Sequence, residues 1–223
     1  MGEAPNTPFR VELIRKAIHL CSLSIPVLYY SLSKPTALTI LIPLTAGFLI
    51  VDILRYYHQP SSKLFHALFG WLLREHEFGK KVKTLNGGTY MLVSATICII
   101  IFPKLIVITG FAILIIADSA AALIGHRFGH HKITVGRPRN KSIEGSAAFL
   151  ISSILVVLVT PKVAGMPGEY VIGIAAAVIG MLAEAFSADL LDDNLAVPLS
   201  IGFAMWAMYL LFLPNLNIYQ LDG

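Results

Sequence analysis

LIVITGFAILIIADSAAALI, residues 105–124, is a run of 20 apolar or small residues broken by a single charge, Asp118. Coiled as an α-helix at about 1.5 Å per residue, such a run is roughly 30 Å long, which matches the hydrocarbon core of a bilayer. It lacks the strict apolar/polar alternation of a barrel strand. Comparable runs lie at 13–31, 36–54, 87–102, 143–160, 170–188 and 196–213. The whole chain has 223 residues, 56% of them hydrophobic and 13% charged, and a mean hydropathy of +0.74. An average soluble domain is about 25% charged, so a soluble enzyme and a secreted module are excluded. The expectation is an all-α, polytopic integral membrane bundle of about seven transmembrane helices, forming one domain over residues 1–223.

The net charge of +4 would suggest nucleic acid in a soluble protein, but here the cations are distributed by loop. Arg10, Arg15 and Lys16 precede the first run; Arg55, Lys63, Arg74, Lys80, Lys81 and Lys83 follow the second; Arg127, Lys132, Arg137, Arg139 and Lys141 follow the fourth. The alternate connections hold only Lys34, Lys104 and Lys162. By the positive-inside rule the N-terminus and the loops 55–86, 125–142 and 189–195 are expected to be cytoplasmic, and the C-terminus external. The first stretch, MGEAPNTPFRVELIRKAIHL, lacks a small-residue cleavage site and reads as a retained span. In the second cytoplasmic segment Leu64, Phe65, Leu68, Phe69, Leu72 and Leu73 form an amphipathic stripe, too short to cross and suited to the interface, with Trp71 near headgroup depth. Cys21 and Cys98 both fall in apolar runs and read as core residues.

Carboxylates are costly in a bilayer, so their placement is informative. Asp52, Asp118, Glu144, Glu184, Asp189, Asp192 and Asp193 all fall at or near the same, cytoplasmic ends of their spans. Acids able to hold a divalent ion, facing a basic loop able to hold phosphates, make the electrostatic arrangement of a nucleotide phosphate–Mg²⁺ site. In residues 116–149, IADSAAALIGHRFGHHKITVGRPRNKSIEGSAAF, Asp118 shares a helix face with Ala121, Ala122, Gly125 and Gly129. That face either admits a ligand close to the backbone or packs another helix. Ser142 stands at an expected N-cap with Lys141, Arg139 and Arg137 before it, a physically reasonable phosphate site, and Gly145 opens the first turn. Glu144 either caps the helix or joins a metal site. His126, His130 and His131 lack the companions of a metal site and read as polar loop residues. In residues 184–199, EAFSADLLDDNLAVPL, one of Asp192, Asp193 and Asn194 is accounted for as an N-cap, but not all three. Near the first span, snorkelling accounts for Arg15 and Lys16 but less well for the deeper His19.

These blocks together resemble the CTP-dependent lipid kinases, a group that includes dolichol, phytol and CTP-using diacylglycerol kinases. RKAIHL at 15–20 looks like the family's opening Arg-Lys-x-x-His, residues 118–133 with KSIEGSAAF at 141–149 look like its nucleotide-binding loop, and residues 184–199 look like its closing acidic block. The resemblance implies a catalytic core that moves the γ-phosphoryl group of CTP to the hydroxyl of a lipid alcohol, with Mg²⁺ as cofactor. Asp118, Glu184, Asp193 and His19 would be catalytic, and Asp118 with Asp192 or Asp193 would hold the metal. Gly125, Gly129, Lys132, Arg139, Lys141, Ser142, Glu144 and Gly145 would bind the nucleotide. Either Glu184 or Asp193 would accept the hydroxyl proton. The active site would face the cytoplasm, from a plasma membrane or an endoplasmic-reticulum-type membrane. The middle blocks are also similar to the CDP-diacylglycerol synthases, although DDNLAVPL after Glu184 departs from their closing motif. A third alternative, a small transporter relaying protons through Asp52, Asp118 and Glu184, would place its carboxylates nearer mid-membrane.

Overall fold

The computed structural model describes residues 9–57, 85–133, 141–187 and 192–222. Its elements are α1 (Phe9–Cys21), α2 (Ser24–Ser31), α3 (Lys34–Tyr57), α4 (Gly87–Ile101), α5 (Lys104–Phe128), α6 (Ile143–Val159), α7 (Pro167–Phe186) and α8 (Asp193–Phe212). Among the described residues the one β-type pairing is an isolated antiparallel bridge between Lys132 and Ser142. The protein is therefore an all-α bundle of apolar helices. Four helices, α3, α5, α7 and α8, are long and apolar enough to cross a membrane, while α4 and α6 are shorter apolar helices. The expected amphipathic segment at 63–74 lies outside the described residues, as do Arg137, Arg139 and Asp189.

The expected first span is split into α1 and α2, and Pro26 supplies the reason. A proline has no N–H to offer the carbonyl four residues back and its ring crowds that carbonyl. The Ser22 carbonyl instead accepts from Ile25 N–H at 2.9 Å, while Ser22 N–H and Leu23 N–H bond three residues back to His19 and Leu20. The chain thus turns tightly at residues 22–23, and α1 becomes a separate short helix.

Residues 105–124, within α5, form the centre. Ile106, Phe111, Ile113, Leu114 and Ile115 of α5 are completely buried, and α5 packs against α6, α8, α4, α2 and α1. A helix apolar on every side is either deep in a core or surrounded by membrane neighbours. By contrast α3 lies against α4 and turns Ile40, Leu44, Phe48 and Val51 outward. Their spacing places them on one lipid-facing stripe.

Lipid tails are as apolar as leucine, so close packing between backbones does most to hold such helices together. Gly173 of α7 lies against α6: a methyl group there would stand 2.6 Å from Val157 Cγ1. Gly180 makes the equivalent approach to Ile201 of α8. At the end of the bundle where α6 stops and α7 starts, charges act as fasteners. Lys162 Nζ donates to the Val157 and Thr160 carbonyls at 2.6 and 2.7 Å, satisfying groups left open at the helix terminus. Glu169, fully buried, accepts from the N–H groups of Val163, Ala164 and Met166. The remaining buried acids gather at the opposite end.

Candidate functional site

Where α7 ends and α8 begins, beside α5 at a point ten residues before its end, three carboxylates converge. Asp118 comes from α5, Glu184 from the last turn of α7 and Asp193 from the first residue of α8; one oxygen of each lies within 4.8 Å of the others. All three are buried. Buried charges persist only when paired or bound to a cation, and two lysines meet that condition.

The first is Lys16 of α1, whose Nζ donates to Asp118 Oδ2 at 2.5 Å. His19, one turn further along the same face, places Nε2 3.6 Å from that oxygen. The second is Lys141, whose Nζ donates to Glu184 Oε1 and to Asp193 Oδ2 at 3.1 Å. Burial alone would push the Lys141 amine toward neutrality, but Asp193, Glu184 and Asp118 around it outweigh that and hold its ammonium above the usual range. Ser187 joins the group by hydrogen-bonding Asp193 Oδ1 and donating to the Glu184 carbonyl at 3.0 Å, tying the end of α7 to the start of α8.

The donor set suits a hard divalent cation. Mg²⁺ takes oxygen ligands at about 2.1 Å in an octahedron, so opposite ligands stand roughly 4.2 Å apart. Three carboxylate oxygens within 4.8 Å of one another would draw together around such an ion, since at least two of their three pairs must be neighbouring ligands at roughly 3.0 Å. Asp118, Glu184 and Asp193 are the residues that would hold such an ion.

The adjacent Asp192 has a different task. It is the N-cap of α8, its Oδ1 accepting from Asn194 N–H at 3.0 Å and from Asn194 Nδ2 at 2.7 Å. Of the two aspartates expected beside Asp118, Asp193 joins the acid cluster while Asp192 caps α8, and Glu184, expected as a base, stands in the cluster as well. Asn194 Nδ2 also reaches the Gly87 carbonyl at 3.4 Å, which fastens the start of α8 to the start of α4. Asp52 stands apart from the cluster. It pairs with Arg55 Nε at 2.7 Å and accepts from Asn86 N–H at 2.7 Å, linking α3 to α4.

The loop residues surround the start of α6. Ser142 takes the expected N-cap position and accepts from Gly145 N–H at 3.1 Å. Ile143 N–H donates to the His131 carbonyl and Ser146 N–H to the Ser142 carbonyl, both at 3.0 Å. These donors at the helix start are therefore engaged within the protein in this conformation. Gly125 and Gly145 face one another across α5 and α6: a methyl group on Gly145 would stand 3.4 Å from Gly125 Cα and 3.0 Å from the Ala121 carbonyl oxygen. Gly129, directly after α5, lets the chain pass Ser142, whose Oγ would be 2.6 Å from a methyl group there. All three glycines lie where the two helices touch. Glu144 points away from the carboxylate cluster, accepting from His130 N–H at 3.2 Å and His131 N–H at 3.1 Å and pairing with His131 Nδ1 at 2.7 Å. Lys132 is exposed and bridged to Ser142 through the backbone. Arg139 lies outside the described residues.

Lys16 is the residue that sequence reasoning passed over. Glu12 stands at helical spacing from both Arg15 and Lys16 and pairs with Arg15 at 2.7 Å; two cations compete for one local acid, and Lys16 shares its face with His19. That combination was the available signal. Ser187 offered none, since its role depends on the meeting of α7 and α8.

No family model matches the chain, and no solved structure does. Known proteins do. An uncharacterized protein of Rickettsia prowazekii is 28% identical over 193 residues, 86% of this chain and 92% of that protein. CTP-dependent diacylglycerol kinase 1 of Eremothecium gossypii is 32% identical over 117 residues, 51% of this chain and 35% of that enzyme. CTP-dependent diacylglycerol kinase 1 of Saccharomyces cerevisiae is 30% identical over 147 residues, 64% of this chain and 48% of the enzyme. The matches thus span about a third and about half of those two enzymes. The carboxylate cluster therefore sits in a membrane bundle linked by sequence to the CTP-dependent diacylglycerol kinases.

Proposed function

We propose that this protein is a CTP-dependent lipid kinase, transferring the γ-phosphoryl group of CTP to the hydroxyl of a membrane lipid alcohol. The observation that carries the reading is the meeting of Asp118, Glu184 and Asp193 with Lys16 and Lys141 at one end of the bundle. Sequence similarity to CTP-dependent diacylglycerol kinases supports the choice of donor and makes diacylglycerol the first acceptor to test. Polyprenol and phytol-like alcohols present the same hydroxyl chemistry.

Phosphoryl transfer requires little covalent chemistry of a protein, so positioning and charge neutralisation dominate. Lys141 and the basic loop containing Arg139 would hold the triphosphate over the cluster. A divalent ion held by Asp118, Glu184 and Asp193 would offset negative charge on the transferring phosphoryl group. Lys16 and His19 on α1 fix the orientation of Asp118. The lipid hydroxyl oxygen attacks the γ phosphorus, the bond from that phosphorus to the β–γ bridging oxygen breaks, and CDP departs. The hydroxyl proton passes to Glu184 or Asp193. By the positive-inside partition the site faces the cytoplasm, where CTP is available.

The test is lipid-dependent product release. Full-length protein in liposomes containing diacylglycerol should convert CTP to CDP without releasing pyrophosphate, and Asp193→Asn should abolish that conversion. Pyrophosphate release dependent on phosphatidate would replace the kinase reading with cytidylyl transfer.

A further inference from the structure

The Lys141 ammonium sits among the carboxylates that would hold the metal. Nζ contacts Glu184 Oε1 and lies 3.1 Å from Asp193 Oδ2, two of the three residues whose oxygens cluster within 4.8 Å. An ammonium and a divalent ion cannot share that space, since each needs the same oxygen lone pairs and the two repel at short range. The geometry points to Lys141 as an exchangeable counter-cation: its ammonium competes with a divalent ion for the same carboxylate oxygens, and divalent ion entry displaces it toward the triphosphate. This inference rests on the carboxylates being the metal site, and it gives that site an order of events.

Three features make Lys141, and not Lys16, the exchanging group. The Lys141 side chain is 15% exposed and the Lys16 side chain 6%, so Lys141 has the way out. Lys16 touches one carboxylate, Asp118, whereas Lys141 bridges two. The Lys141 backbone is anchored, its carbonyl accepting from Ile133 N–H at 3.0 Å and the next residue capping α6. A displaced ammonium therefore stays tethered at the mouth of the site. Charge accounting favours the exchange. With the acids ionised, three carboxylates face two ammonium groups, and substituting a divalent ion for Lys141 brings the cage to neutrality while freeing one cation for phosphate. Metal and nucleotide would then bind with positive coupling through one side chain.

The experiment uses the full-length chain in detergent and Mn²⁺ without nucleotide, with free Mn²⁺ followed by electron paramagnetic resonance. Lys141→Met should bind Mn²⁺ at least about tenfold more tightly than the unsubstituted chain, a factor within ordinary coupling between sites. Asp193→Asn should weaken binding in both backgrounds. A second readout avoids any variant that misfolds: in the unsubstituted chain, reductive methylation of the Lys141 amine, quantified by mass spectrometry, should rise when Mn²⁺ is added. Tighter binding in Lys141→Met, together with metal-induced labelling, is the expected result. A variant that binds Mn²⁺ no more tightly, or labelling that Mn²⁺ leaves unchanged, overturns the exchange; Asp193-dependent binding would then still uphold the metal site. Binding indifferent to Asp193→Asn overturns both.

Discussion

Lys16 Nζ and Asp118 Oδ2 lie 2.5 Å apart, although 102 positions separate the two residues in the chain. The pair fixes the short first helix against the central one and brings His19 beside the same carboxylate. It therefore combines a structural task with a place at the site, and substitutions can separate the two.

Asp118→Asn should lower turnover by at least about a hundredfold, equivalent to roughly 2.7 kcal/mol of transition-state stabilisation. It should also destabilise the protein, because removing one partner of a buried pair typically costs about 3–5 kcal/mol. Adding Lys16→Met removes the stranded charge and should restore thermal stability in detergent without restoring turnover. Recovery of both would make the pair structural alone.

Adjacent aspartates should behave differently. Asp192 caps α8, a role that asparagine fills nearly as well, so Asp192→Asn should retain turnover within about fivefold. Asp193 faces Lys141 inside the cluster, so Asp193→Asn should lose about a hundredfold or more. Steady-state rates with CTP and lipid alcohol decide this, and equal losses at both positions would contradict the division.

Gly129 follows α5 with Ser142 close against it. Gly129→Ala forces the chain away from Ser142, and overpacking of this kind costs about 1–3 kcal/mol. A lowered melting temperature is expected, with a smaller fractional loss of turnover than for Asp193→Asn. An unchanged melting temperature would mean that the helix junction is looser than the contacts indicate.

Orientation is testable without activity. The lysine and arginine partition predicts that single cysteines placed at 134–138 react with a thiol reagent only when it can reach the cytoplasm. A cysteine replacing Lys162 should react from outside. Labelling of 134–138 from outside would put the nucleotide site on the wrong face of the membrane.

The helices could be read from the sequence because apolar runs of membrane length have few alternative structures. That Asp118, Glu184 and the Asp192–Asp193 pair lie toward one end of the bundle was legible for a related reason, the position of each acid along its run; that Glu184 and not Asp192 stands with Asp118 and Asp193 was not. What sequence left open depended on contacts between elements. Whether Asp192 or Asp193 capped α8 was decided by the position at which the helix starts. Lys16 looked like a snorkelling cation because its partner is remote in the chain. Gly125 and Gly145 allowed both ligand approach and helix contact until α5 and α6 were seen touching.

The central claim is phosphoryl transfer from CTP to a lipid hydroxyl. Full-length protein in liposomes should be given Mg²⁺, a panel of lipid alcohols and phosphatidate, and CTP labelled at either the α or the γ phosphorus. The account predicts γ label on a lipid alcohol, with CDP released and no α label on phosphatidate. Lipid carrying the α label would contradict it in favour of cytidylyl transfer, and no labelled lipid from either donor would contradict it in favour of a protein that moves ions.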